Sequence, residues 1–482
     1  MTSLKRTTFS GSVWVGASVL VAAVVQLLQM SSVARTLHPA QVGVVAASLV
    51  VLALADTIAS MGIANSIIQR QDASRRELSS LYWMNVFAGA LIAVVLFLSA
   101  PLFEWFFRMP ELGSLVQVIG LSFLISPHGQ VARGMLERHM RFKVVSVIEM
   151  ISSLIILVVT VALIAVGVGP IAVAIAYASS VSVKALLFLI AARKMFFPSL
   201  HFRFDETRRF LSFGILSSVD TIIGFFAANV GSFAVGRLVS PTALGGYNLA
   251  FTYAVTTPAR LNGVVTRVMF PAISQMRGDQ QRQARAIRNV IGTVTMVNAP
   301  VLLTLAIVAG PFVQVFFGES WLWIAGLVQV LAGVGITRAM GNPMGAILMA
   351  LNRMGVGVIV NVIKSTFHVL IVIAATVIWG VYGTSYAALL MGVVTIIVNL
   401  VLLRALAGIP IRDGLVDHLK PLVLAVPMVI VGLATMWGFT ALGAPAVATL
   451  FGVSAICAAS YVATLWIVKD PLATELLSVV KR

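Results

Sequence analysis

The chain has a single cysteine among 482 residues, Cys457, which excludes disulfides within the chain and any cysteine metal cluster. Charge is also scarce: Asp, Glu, Lys and Arg make up 10% of residues, 60% are hydrophobic, and the mean hydropathy is +1.03. No soluble core uses that much apolar material, so the composition excludes an ordinary globular domain and indicates a polytopic membrane protein. Acids are the scarcer sign, 16 against 33 bases, giving a net charge of +17. The excess does not point to nucleic acid, because the bases are scattered in short loops between apolar runs. The six histidines show no ligand spacing, and no phosphate-cradling glycine loop, Walker sequence or pairing of nucleophile with base is present. No cofactor is implied. A membrane enzyme remains as an alternative from another class, although the outer loops are only a few residues each.

Runs long enough to cross a bilayer of about 30 Å, each of roughly 20 residues or more, cover 10–34, 42–66, 79–103, 113–133, 146–167, 170–190, 209–234, 243–272, 287–317, 321–350, 355–378, 381–405, 419–440 and 444–468. The expected fold is all-α, a polytopic membrane protein of about 14 transmembrane helices. Lys5 and Arg6 before the first run resemble a signal peptide, but no small-residue cleavage site follows, so the run reads as the first membrane helix. Twenty-five of the 33 bases fall at alternate ends of the helices; only Arg35, Arg108 and Arg237 fall at the opposite ends. The bias places both termini in the cytoplasm. The remaining five, Lys184, Arg260, Arg267, Arg338 and Lys364, lie inside apolar spans.

Helix starts agree with this map. Ser74-Arg-Arg-Glu77 is a capping box before the third helix, and Asp205-Glu206-Thr207 is expected to precede the seventh. Val239-Ser240-Pro241 is expected to form a tight turn between the seventh and eighth helices. The chain also repeats: Val33-Ala-Arg35-Thr-Leu-His-Pro39-Ala-Gln-Val-Gly43 matches Val235-Gly-Arg237-Leu-Val-Ser-Pro241-Thr-Ala-Leu-Gly245 at an offset of 202 residues. Pro101–Phe107 matches Pro311–Phe317, and Leu115–Val118 matches Leu327–Val330. An even number of helices separates the copies, so the repeat is parallel and relates two six-helix lobes. The expected division is 1–208, an N-terminal lobe; 209–410, a C-terminal lobe; and 411–482, a C-terminal helix pair outside the repeat.

Ionisable groups inside the membrane are costly and mark function. Lys184, Arg260, Arg267, Arg338 and Lys364, with Asn262, are candidates for a cationic cavity around an anionic headgroup, since Arg suits bidentate contact with phosphate or carboxylate. Snorkelling, or pairing with Asp56, Glu149 or Asp220, is the competing reading. Pro258 favours a kink in the helix that carries Arg260. Asp220 and Asp56 are candidates for H+ or Na+ coupling, and for Asp220 neutralisation of Arg260 is an equal alternative. Gly341-Asn-Pro-Met-Gly345 offers a helix break and a close packing surface. Asn229, Asn248 and Asn262 are open to sugar contacts or to helix association.

These residues include a set of motifs in a fixed order. The runs Ala53-Leu-Ala-Asp56-Thr, Gly62-Ile-Ala-Asn-Ser-Ile-Ile-Gln-Arg70, Leu81-Tyr-Trp-Met-Asn85, Pro127-His-Gly-Gln130, Gly245-Gly-Tyr-Asn-Leu-Ala250, Arg267-Val-Met-Phe-Pro271 and Gly341-Asn-Pro-Met-Gly345 together resemble the colanic-acid-type Wzx exporters. These form part of the polysaccharide flippase branch of the MOP (multidrug, oligosaccharidyl-lipid, polysaccharide) superfamily. The resemblance runs from Phe9 to about Arg412. It implies a flippase that moves undecaprenyl-diphosphate-linked oligosaccharide units across the bacterial inner membrane by alternating access, alongside membrane lipids and a polymerase and export machinery. A multidrug or metabolite antiporter of the same superfamily is the alternative.

Overall fold

The computed structural model describes residues 2–59, 74–259 and 279–468; for residues 2–10, 12, 206–221 and 280 it describes the backbone alone. Among the described residues every regular element is helical, as a bilayer requires when each backbone N–H and C=O must find its partner within its own segment. The helices are α1 (Thr2–Thr36), α2 (Pro39–Ala59), α3 (Arg75–Phe107), α4 (Leu112–Arg138), α5 (Phe142–Ala165), α6 (Ile171–Ala192), α7 (Phe204–Leu238) and α8 (Pro241–Phe251, continued through residue 259). They continue with α9 (Gln280–Ile307), α10 (Ala325–Gly341, continued by Pro343–Ala350), α11 (354–379), α12 (381–407), α13 (Ile411–Ala441) and α14 (Ala446–Val468). The last two are the expected C-terminal pair. α11 and α12 form one helical run broken at Gly380, where φ is 60° and ψ is −143°. Only glycine adopts that conformation without strain.

Local chemistry sets the boundaries. At the start of α3 the Ser74 hydroxyl accepts the Glu77 N–H at 3.3 Å, and the Ser74 N–H donates to Glu77 Oε2 at 2.8 Å, the reciprocal capping box expected from sequence. α9 starts on Asp279, whose carboxylate accepts the Arg282 N–H at 2.9 Å. The turn at Val239-Ser240 is closed by Ser240, whose hydroxyl accepts the Ala243 N–H at 3.1 Å, with Pro241 as the first helical residue of α8. α7 departs from expectation. It begins at Phe204 from extended Arg203, so positions 205 and 206 lie inside its first turn, where Asp205 complements the helix dipole instead of capping the helix. The expected run 287–317 is two helices, α9 and a short Ala309–Phe316 segment, and α13 starts eight residues before the expected 419.

The chain divides into two compact units, Met1–Gly246 and Tyr247–Arg482. This packing boundary differs from the repeat boundary at 208, because α7 packs against α2 and α3. Within the first unit α3 packs on α4, α4 on α6, and α1 on α5. Within the second, α9 packs on α10, α10 on α12, and α13 on both α9 and α14. The pairs α3 with α4 and α9 with α10 correspond under the repeat. So do α3 with α7 and α9 with α13: the helix that follows each group of six folds back onto the third helix of that group. The matched glycines of the repeat also meet. A Cβ on Gly43 would overlap the Pro241 carbonyl, and one on Gly245 would stand 3.0 Å from the Gly43 N. The start of α2 and the start of α8 therefore cross backbone to backbone, a contact that small residues permit.

Candidate functional site

In the second unit, α8 leaves regular α geometry where it meets α10, and α10 is itself interrupted two turns further on. α8 turns to π-helical geometry over Thr252–Thr256, and α10 breaks at Asn342-Pro343, where proline removes a donor. Gly335 lies against the π-turn so closely that a Cβ there would overlap the Ala254 carbonyl. One turn further on is Arg338. Its guanidinium carbon sits 5.2 Å from the Phe251 ring centroid, and Phe251 stacks on Tyr247 at 5.6 Å with 26° between the rings. Tyr247 and His368 are its electrostatic neighbours. Lys364 lies four residues before His368 on α11, on the same face one turn away.

Among the described residues no carboxylate lies within ion-pairing distance of Arg338 or Lys364. The described acids of the unit are used elsewhere: Asp413 and Asp417 hold Arg288, Asp279 caps α9, and Glu319 opens the 3-10 turn Glu319–Ile324. A guanidinium withdrawn from water loses several kcal/mol of solvation, and a stacked aromatic ring returns about 2 kcal/mol at best. The deficit is what an anion would offset, with the planar fork of Arg338 suited to two oxygens of one phosphate or carboxylate.

The first unit holds a cluster of the opposite kind. Arg133 on α4 pairs with Glu149 on α5 through Nη2 at 2.9 Å and with Glu137 on its own helix through Nε at 2.9 Å. Tyr177 on α6 donates its hydroxyl to Asp56 Oδ2 of α2 at 3.4 Å. Lys184, two turns along α6, lies in the field of Arg133, Glu149 and Asp56. Three carboxylates and two bases leave the group with one negative charge in excess.

The sequence candidates therefore separate. Arg338 lies in the aromatic cluster of the second unit and Lys364 one turn from its neighbour His368 on α11, whereas Lys184 and Asp56 share a group in the first, where Lys184 is electrostatically compensated. Arg260, Arg267 and Asn262 lie outside the described residues; Asp220 lies on α7, with its side chain outside the described atoms. Asn229 donates to the Phe225 carbonyl of its own helix at 2.9 Å, and Asn248 accepts from Thr252 at 3.5 Å. Sequence reasoning did not single out Phe251, His368 or Tyr177, and it quoted Tyr247 only within a motif. The four-residue spacing of Lys364 and His368 was the available signal.

The profile of a family described as polysaccharide biosynthesis protein matches residues 32–326. The lipopolysaccharide biosynthesis protein WzxC of Escherichia coli K12 is 32% identical over 433 residues, 90% of this chain and 88% of that protein. The teichuronic acid biosynthesis protein TuaB of Bacillus subtilis is 29% identical over 73% of each chain. Among solved structures, the lipid II flippase MurJ in an inward closed conformation superposes with a TM-score of 0.73 at 14% identity, over 95% of this chain and 98% of that one. An inward-facing multidrug resistance MATE family transporter of the MOP superfamily gives a TM-score of 0.62 at 16% identity, over 80% and 96%. The two structural likenesses show the fold, and the sequence matches show the family. The chain is a multi-pass membrane protein with the MOP fold and belongs to the polysaccharide biosynthesis protein family, of Wzx type.

Proposed function

We propose that the protein is a flippase for isoprenoid-diphosphate-linked oligosaccharide in the inner membrane of a bacterium, and that the Arg338 cluster receives the anionic part of its cargo during alternating access. The observation that carries this reading is a guanidinium, Arg338, stacked on Phe251 beside Tyr247 and His368, that has no counter-ion among the described residues. Moving one charge of carboxylate or phosphate size from water into hydrocarbon costs on the order of 20 kcal/mol in the idealised limit, so a diphosphate does not cross unaided. Bases held on helices lower that barrier, while the isoprenoid tail stays in the bilayer. The names of the relatives, which concern lipopolysaccharide and teichuronic acid biosynthesis, support a glycan-linked cargo. MATE transporters share the fold, so the fold does not choose between lipid-linked glycan and small molecules; the sign of the site supports an anionic cargo, because a cationic drug would meet like charge.

Coupling belongs to the same proposal. With two bases against three acids, the Asp56 group would be neutralised by one proton or one monovalent cation, which fits H+ or Na+ coupling through Asp56. A transport rate independent of both gradients would remove that part.

The test is the sidedness of isoprenoid-diphosphate-linked oligosaccharide in cells lacking the protein. Accumulation on the cytoplasmic leaflet, relieved by the intact chain and not by Arg338→Ala, is the expected result. No accumulation, with unchanged surface glycan, would favour a small-molecule antiporter.

A further inference from the structure

The segment joining α6 to α7, residues 193–203, is organised in a way that transport of a headgroup does not use. Its backbone is fastened to the start of α3. Ser199 donates to the Ser79 hydroxyl through its N–H at 3.2 Å and its own hydroxyl at 3.0 Å, and the Arg203 N–H donates to the Ser80 hydroxyl at 3.1 Å. The Trp83 indole in turn donates to the Ser199 carbonyl at 2.8 Å. On this fastened backbone the apolar side chains divide between two environments. Phe196 is buried beside Tyr82, with ring centroids 6.3 Å apart, whereas Phe197 and Leu200 are 80% and 93% exposed. Holding large apolar groups outward on an ordered backbone is unfavourable in water and marks a surface that something covers.

Phe202 shows which environment that is. It packs edge-on against Phe87 of α3 at 5.6 Å. Phe87 begins a stripe of exposed residues, Leu91, Val94, Leu98 and Leu102, that follows one face of α3 for its whole apolar length. On a membrane helix such a face meets acyl chains. The segment thus lies at the end of a lipid-facing stripe, on the base-rich side of the bilayer, where chains give way to headgroups. It carries exposed Arg193, Lys194 and Arg203 and no acid, and exposed Arg75 and Arg76 flank its attachment on α3. Apolar residues interleaved with bases at that depth match an anionic lipid surface in both hydrophobicity and charge.

We propose that residues 193–203 are an interfacial anchor: Phe197 and Leu200 enter the acyl region, and Arg193, Lys194 and Arg203 bind the headgroups of anionic phospholipid. The anchor holds the junction between the two repeats at a fixed depth. Any movement of α7 against α3 carries it through the interface, so anionic lipid content sets how easily that movement occurs. This inference rests on the membrane fold and is independent of the transported cargo.

The experiment places a fluorescent label at Leu200→Cys of the full chain in nanodiscs of phosphatidylcholine with or without phosphatidylglycerol; Cys457 is buried and does not compete for label. The expected result is short-wavelength emission, quenching by a spin label high on the acyl chain, and protection from an aqueous quencher, all stronger with the anionic lipid. The triple variant Arg193→Gln, Lys194→Gln, Arg203→Gln, altered only at exposed positions, is expected to lose that lipid dependence by at least about tenfold, from about fivefold per charge. A label fully open to the aqueous quencher in both lipids would overturn the proposal. So would protection that appears only when a soluble protein fraction is added.

Discussion

Replacing Gly43 by alanine puts a methyl group where the backbone of Pro241 already lies. The added carbon would overlap the Pro241 carbonyl oxygen and stand 2.9 Å from its Cα. Carbon atoms pack at about 3.5–4.0 Å, so the starts of α2 and α8 would have to separate by roughly 1 Å. Overpacking costs about 1–3 kcal/mol, and the upper part of that range applies because backbone on both sides leaves no rotamer to yield. Alanine returns about 1 kcal/mol over glycine in helix propensity, so the expected net loss is about 1–2 kcal/mol. Gly245→Ala is the internal comparison. Its methyl would meet the Gly43 N at 3.0 Å, Val42 C at 3.2 Å and Gly43 Cα at 3.3 Å, contacts relieved by a few tenths of an ångström. Its overpacking cost and propensity gain nearly cancel, and the expected change is within about 0.5 kcal/mol. Equilibrium unfolding of the intact chain and both variants in one lipid system measures the difference. A neutral Gly43→Ala, or a Gly245→Ala that destabilises more than Gly43→Ala, would refute the crossing of the matched repeat segments.

Three further outcomes follow from individual contacts. Arg288 reaches Asp417 through Nε at 2.6 Å and Nη2 at 3.1 Å but Asp413 through Nη1 alone at 3.1 Å, so Asp417→Ala should cost about 1–2 kcal/mol and Asp413→Ala under about 0.5 kcal/mol in unfolding experiments, both less at high salt. Ser152 and Ser180 bond hydroxyl to hydroxyl at 2.7 Å between α5 and α6, and Ser152→Ala should cost about 0.6 kcal/mol, with the same assay as the check. Gly335→Ala would drive α10 off the π-turn at Ala254 one turn before Arg338; complementation of a null strain should fall at least about tenfold while the protein still reaches the membrane, since a displacement of about 1 Å at a site is worth that much or more.

The spans, the turn at Val239-Ser240-Pro241, the capping box at Ser74 and the repeat were legible because each rests on local chemistry or on chain order. The rotation of each helix about its axis was not. α5, α6 and α11 are apolar almost all round, so their sequences do not distinguish the side facing protein from the side facing lipid. Lys184 and Lys364 therefore looked alike as buried bases, yet one lies among carboxylates of α2 and α5 and the other, one turn from His368, has none within ion-pairing distance among the described residues. Tyr247, Phe251, Arg338 and His368 come from three helices spread over more than 100 residues, and no spacing rule connects them. The π-turn of α8 was equally hidden, since Thr252–Thr256 carries neither glycine nor proline.

The central claim is that Arg338 meets the anionic part of a lipid-linked glycan during transport. Its most direct test is flipping of isoprenoid-diphosphate-linked oligosaccharide in proteoliposomes that contain the intact chain, Arg338→Lys or Arg338→Ala at matched amounts of folded protein. The account predicts rapid flipping by the intact chain, partial flipping with lysine, which keeps the charge but loses the planar fork, and a loss of at least about tenfold with alanine. Flipping by Arg338→Ala at the intact rate would contradict it.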